Sequence, residues 1–271
     1  MDAAAHRAEV EAWRDVRYGN LQRDLGWLTL AGFAWLRDGA NRIGTAADAD
    51  VTLPSGPSAA GVVEVDGTSA RVTSGFGGAR SIATDAADEP TILEVGSLRL
   101  CVIERGGRLA LRTWDLEAPA RPAFDGIAHY PVDARWRIQA RVHPTPDRTI
   151  DVPDVLGIVV ATASPAALVL ELGGEEHTLE ALEGGSDGEL WLVFGDGTNG
   201  DTTYPGGRFL YTPPPAPDGT VIVDFNRAYN PPCVFSPFAT CPLPWPANRL
   251  TPRIEAGERH PITSPGSGRA G

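Results

Sequence analysis

Two stretches carry the residues that could do chemistry. The first, Gly195 to Arg208, holds Asp196, Asp201, three threonines, Tyr204 and Arg208 on a glycine-broken loop. Its glycines let backbone N–H groups approach closely, so several donors and acceptors can converge on one point. The second runs from Asp224 through Asn226, Tyr229 and Asn230 to Cys233. It then continues from Cys241 to Trp245 and Asn248. Prolines 231, 232, 242, 244 and 246 keep it out of long helix or sheet. Carboxylates among aromatics can have raised pKa values and move protons near neutral pH. Asp196, Asp224 and Glu258 are therefore the candidate catalytic acids and bases. Tyr204, Arg208, Asn226, Tyr229, Asn230, Trp245 and Asn248 are the candidate ligand-binding residues, with Arg208 orienting an anionic group.

The remaining chemistry is thinner. Cys233 and Cys241 lack a second ligand pair for zinc, and His260 is the sequence-nearest base for a nucleophilic thiol. Packing thiols or a local disulfide fit them better, and Cys101, in the run Leu98–Ile103, reads as a small buried hydrophobe. Asp196, Asn199 and Asp201 offer hard oxygens, yet their spacing matches no EF-hand, so no metal is expected. No G-x-S-x-G, Walker loop or strand-borne G-x-G-x-x-G is present, and no cofactor is expected.

The elements that must position these residues read as mostly β. Glycine (31) and proline (24) are in excess without a collagen-like period, which implies many turns between short strands. Residues 3–22 form a helix whose loose apolar stripe runs Ala5, Ala8, Val10, Ala12, Trp13, Val16 and Leu21. Strands follow at Val51–Leu53, Gly61–Val65, Ala70–Val72, Thr91–Val95, Leu98–Glu104 and Leu109–Thr113, separated by turn pairs such as Asp66-Gly67 and Gly106-Gly107. A proline-bracketed link near 118 precedes a second strand series: Trp136–Val142, Val155–Ala161, Ala167–Leu172, His177–Leu182, Leu190–Phe194, Phe209–Tyr211 and Val221–Phe225. The expected organisation is a helix over 1–22, a β-sandwich-like unit over 23–117, a β-barrel-like unit over 118–260 that carries the chemistry, and a disordered tail over 261–271. Irregular, proline-rich loops close the second unit. Trp27 to Leu30 and Phe33 to Leu36 fit either a core or a homodimer seam.

With a net charge of −12 and no basic stripe, the chain is unsuited to nucleic acid. No apolar window is long enough for a membrane helix and the first residues lack a signal-like apolar stretch, so a cytoplasmic, acidic, soluble protein is expected.

Three runs resemble the DUF1684 family of unknown function. They are Thr202-Thr203-Tyr204-x-Gly206-Gly207-Arg208-Phe209-Leu210, Asp224-Phe225-Asn226-x-Ala228-Tyr229-Asn230-Pro231-Pro232-Cys233, and Cys241-Pro242-Leu243-Pro244 with Asn248 and Leu250. Gly257-Glu258 and the early Trp27 to Leu36 fit the same pattern. The resemblance implies no reaction, but it marks the stretches already singled out. In the N-terminal half, Gly39 to Gly44 and Asp50 to Pro54 are similar to the opening strands of a forkhead-associated sandwich. Thr45 stands where that family's phosphate-reading Arg is expected and the Ser-Arg-x-His run is missing, so phosphothreonine binding is not implied.

Two functions fit this sequence. In one, a pocket of the C-terminal β unit binds an unidentified small molecule, with cofactor-independent acid/base chemistry from the three carboxylates. In the other, the protein is a non-catalytic binding or scaffold protein whose C-terminal loops are a structural clamp, with Arg208 paired to Asp224 or Glu258.

Overall fold

The computed structural model describes residues 2–185 and 188–260; the tail expected to be disordered lies outside them. Its one α-helix among the described residues, α1 (Ala3–Leu21), starts where Asp2 Oδ1 accepts the N–H groups of Ala4 (2.6 Å) and Ala5 (3.1 Å). This cap satisfies two otherwise orphaned donors. The buried face of α1 is not the stripe of small apolar residues. Val16 is exposed, whereas His6 and Val10 are buried and Trp13 and Arg17 half-buried, at a spacing of one or two turns. His6 and Arg17 turn inward because each finds a carboxylate there. No helix of the described residues is long and apolar enough to cross a membrane.

The chain divides into two compact units, and the protein is mostly β. One comprises residues 18–124 and 235–239. Within it, the strands β1 (Leu30–Trp35), β7 (Ile92–Val95), β8 (Leu98–Arg105) and β9 (Arg108–Asp115) form one antiparallel sheet in the order β1-β9-β8-β7. A second sheet runs β3-β2-β4-β5-β6, from β2 (Gly39–Gly44), β3 (Val51–Thr52), β4 (Gly61–Asp66), β5 (Ser69–Gly75) and β6 (Arg80–Ile82). Val63, Val65 and Val72 of one sheet share a core with Leu98, Leu100 and Leu111 of the other, so the unit is a sandwich. A shallow groove of about 480 Å³ borders Arg42, whose guanidinium is bonded to Asp48 and Asp50.

The other unit comprises residues 1–17, 125–234 and 240–271. Its six-stranded antiparallel sheet has the order β16-β15-β14-β13-β10-β17. The strands are β10 (Arg137–Pro144), β13 (Ala166–Leu172), β14 (Glu175–Glu183), β15 (Leu190–Phe194), β16 (Arg208–Thr212) and β17 (Thr220–Asp224). The edge strands β16 and β17 approach each other, so the sheet curls into a partly closed barrel around Leu168, Leu179, Leu192, Phe194, Leu210 and Val223. After β17 the chain crosses to the free edge of β16, where Tyr229 and Phe209 exchange backbone hydrogen bonds of 2.8 and 2.9 Å.

One expected strand divides differently. Residues 155–161 are not a single strand: β11 (Thr149–Pro153) and β12 (Val159–Ala163) form a hairpin that turns at 154–158. Asp154 Oδ1 accepts the N–H groups of Leu156 (2.8 Å) and Ile158 (2.9 Å), and Gly157 has φ +78°. A side chain that bonds the backbone two and four residues on outcompetes the apolar run.

Candidate functional site

The barrel has two different ends. At one, β15 ends and β16 begins, β17 ends, and the loop segments 195–207, 225–234 and 240–260 cover the opening. Every candidate catalytic and ligand-binding residue lies in these loops or where they join the strands. Arg208, the first residue of β16, is fully buried. Its Nη2 donates to Asp196 Oδ2 (2.6 Å) and Ile254 O (2.9 Å), and its Nη1 donates to Ala256 O. Asp196 Oδ1 accepts from Thr198 N–H (2.9 Å), Thr198 Oγ1 (2.6 Å) and Ile254 N–H (3.2 Å). The Arg208 partner is thus Asp196, not Asp224 or Glu258. Chain distance explains the mismatch: Asp224 and Glu258 are taken by His6 and Arg17 on α1, which the loop sequence does not reveal.

Asp224 Oδ2 accepts from His6 Nε2 (2.7 Å), and its Oδ1 accepts from the Asn226 N–H (3.1 Å) and Nδ2 (2.8 Å). Glu258 is fully buried. Its Oε1 accepts from Arg17 Nε (2.6 Å), and its Oε2 from Arg17 Nη2 (3.3 Å) and Asn230 N–H (2.7 Å). All six oxygens of the three candidate acids therefore have donors.

The asparagines work as backbone substitutes. Asn226 Oδ1 accepts from Asp133 N–H and its Nδ2 donates to Asp133 O, both at 2.9 Å. Asn230 Nδ2 donates to Arg259 O (2.9 Å). Asn248 has the clearest task. Strands β14 and β15 pair only at Leu182–Glu183, then splay apart. Asn248 fills the gap: Oδ1 accepts the Glu180 N–H (2.8 Å), and Nδ2 donates to Glu180 O and Val193 O, both 2.9 Å. Its amide does what a strand backbone would have done. Trp245 Nε1 donates to Glu180 Oε2 (2.6 Å), and Arg148 bonds the other oxygen. Tyr229 stacks on Tyr211 (6.2 Å) beneath the Arg17 guanidinium, 4.4 Å above its ring, and burial raises its phenol well above the usual range.

The Gly206-Gly207 pair is explained by space. A Cβ on Gly206 would lie 2.4 Å from the Tyr204 ring. One on Gly207, at φ +90°, would lie 2.7 Å from Phe194 O. Cys233 and Cys241 are free thiols, and Cys233 N–H donates to Cys241 Sγ (3.1 Å).

Sequence reasoning missed His6, Arg17 and Glu180, and it singled out Thr198 and Asn199 only as members of the glycine-broken loop. Asn199 Oδ1 accepts the Asp196 N–H (2.7 Å), and its Nδ2 donates to Thr203 Oγ1 and Tyr204 O, both 2.9 Å. The helical spacing of His6, Val10, Trp13 and Arg17 could have revealed the first two. No group of three or more His, Cys, Asp or Glu able to hold a metal occurs among the described residues.

The opposite end carries a groove among the described residues. There β10 ends, β13 begins, β14 ends and β15 begins, and the β16–β17 connection passes. A groove of about 570 Å³ lies in this mouth, walled by Val142, Pro144, Pro165, Ala166, Leu190 and Pro217, with Glu183 and Glu189 at its border. None of the sequence-selected residues lines it.

Residues 122–259 match the model of a family described as a protein of unknown function (DUF1684). A solution NMR structure of an uncharacterized protein from Haloarcula marismortui is 31% identical to this chain. The match covers 54% of this chain and 82% of that one, with a TM-score of 0.45. No curated protein matches. That family match spans just over half of the chain's 271 residues and includes all three C-terminal motifs, so the protein belongs to the DUF1684 family.

Proposed function

We propose that the protein binds a small molecule in the mouth of the barrel, and that the family motifs are the structural plug of the other end. The observation that carries this reading is the contrast in lining. The motif acids and amides have their hydrogen-bonding groups largely engaged within the protein, whereas among the described residues the mouth presents mainly apolar walls around a groove. Small-molecule sites favour barrel mouths lined by apolar side chains with a few polar groups. Glu183 and Glu189, on a protein of net charge −12, suit a ligand with an apolar body and a cationic or hydrogen-bond-donating head. Asp196, Asp224 and Glu258 act in this reading as anchors for Arg208, His6 and Arg17, so acid/base catalysis by them is not part of it.

The test is calorimetric titration with a series of alkyl- and arylalkylamines. Saturable binding to the native protein should weaken at least tenfold in the double variant Glu183→Lys, Glu189→Lys. Absence of binding across the series, or equal binding by the variant, would overturn the proposal.

A further inference from the structure

Cys233 and Cys241 take no part in the plug's ion pairs, yet the fold brings them together. The Cys241 sulfur lies 3.1 Å from the backbone nitrogen of Cys233, three bonds from that residue's own sulfur. Tyr204 supplies a hydrogen bond to the Cys233 thiol. Prolines 232 and 242 flank the pair, and neighbouring backbone is tied on both sides: Val155 N–H donates to Cys241 O (3.0 Å) and Leu243 N–H to Pro153 O (2.7 Å). Residues 235–239, between the cysteines, group with the other unit and are held there by Ser236 Oγ donating to Leu30 O (2.8 Å).

We infer that Cys233 and Cys241 form a redox-active dithiol that exchanges with low-molecular-weight disulfides and closes into an intramolecular disulfide. Cys233 is the attacking residue, because it is half-buried where Cys241 is buried. The Cys241 hydrogen bond, helped by Tyr204, also lowers its thiol to about 7 against the opposing effect of burial. A lowered thiol favours the nucleophilic thiolate. Cys101 is the internal control: it is buried in β8, and burial pushes it up to about 11.

The steps balance with glutathione disulfide as oxidant. The Cys233 thiolate attacks one of its sulfurs, a mixed disulfide forms, and one glutathione thiolate leaves and takes up a proton. Cys241 gives up its proton, and its sulfur attacks Cys233 Sγ. The 233–241 bond forms as the bond to glutathione breaks, and the second glutathione departs. The protein loses two protons and two electrons, and one glutathione disulfide becomes two glutathiones. The resulting bridge ties together the base of the 235–239 excursion.

The test is intact-mass and peptide mapping of the fully reduced native protein after incubation with glutathione disulfide. The native chain should lose the mass of two hydrogens and yield a linked Cys233–Cys241 peptide, at least tenfold faster than any change at Cys101. Cys241→Ser should instead accumulate one glutathione on Cys233. A persistent glutathione adduct on the native chain would overturn the inference. So would an unchanged mass, or Cys101 reacting as fast as Cys233.

Discussion

The two ends of the barrel are made by the same six strands and are opposite in character. At the plugged end, Arg208, Asp196, Asn226, Asn230, Asn248 and Glu258 are buried, and they bond each other and the loop backbone. At the mouth the described residues are mainly Val, Pro, Ala, Leu and Gly, and they wall a groove of about 570 Å³. The contrast shows that residues chosen for chemical potential are also those best able to satisfy irregular buried backbone. Loops without ladder partners need amides and charges inside, because an unpaired buried polar group costs about 1–3 kcal/mol. A binding surface of small apolar residues carries no such signature in sequence.

The contrast can be broken first where it is strongest. Arg208→Gln leaves the buried Asp196 carboxylate without its cation and should cost about 3–5 kcal/mol, seen as a large drop in melting temperature. Retention of native melting would mean the plug is not structural. Asn248→Ala removes the amide that bridges the splayed β14 and β15. It should cost about 2–4 kcal/mol by leaving Glu180 N–H, Glu180 O and Val193 O without their partner. Faster amide exchange at Glu180 would locate the damage.

A third test sharpens the plugged end by pH. Burial, with Arg14 and Arg17 nearby, holds His129 at about 4, below the ordinary 6.5. Between these values the unfolded chain binds the proton that the folded chain refuses, so stability falls as pH falls from 6.5 toward 4. Allowing for solvent screening, the effect at pH 5 is about 1–2 kcal/mol. His129→Gln should narrow the difference in melting temperature between pH 7 and pH 5. An unchanged difference would show that His129 titrates normally. The smallest effect belongs to the mouth: Glu183→Gln with Glu189→Gln should change stability by no more than about 0.5 kcal/mol. A larger loss there would erase the distinction between the ends.

Much of the fold was legible in sequence. Short apolar runs bounded by turn residues gave β8, β9, β13 and β15 nearly to the residue, because those strands pair with near neighbours in the chain. The hairpin at 149–163 was not legible, since its turn depends on one aspartate bonding forward to two amides. The motif residues were found, but their partners were not. His6 and Arg17 lie more than two hundred residues from Asp224 and Glu258, and only the folded barrel brings them together. The mouth was invisible for a further reason: its walls come from the ends of four strands and the β16–β17 connection, none of which carries a distinctive residue pattern.

The most direct measurement is an amide chemical-shift map of the labelled native protein against an unbiased small-molecule fragment library. A site in the mouth requires the perturbed amides to cluster on Val142, Ala166, Leu190 and Gly219, with Asn226, Asn230 and Glu258 unmoved. Clustering on those motif residues instead would contradict it, and would return the plug to consideration as the binding site.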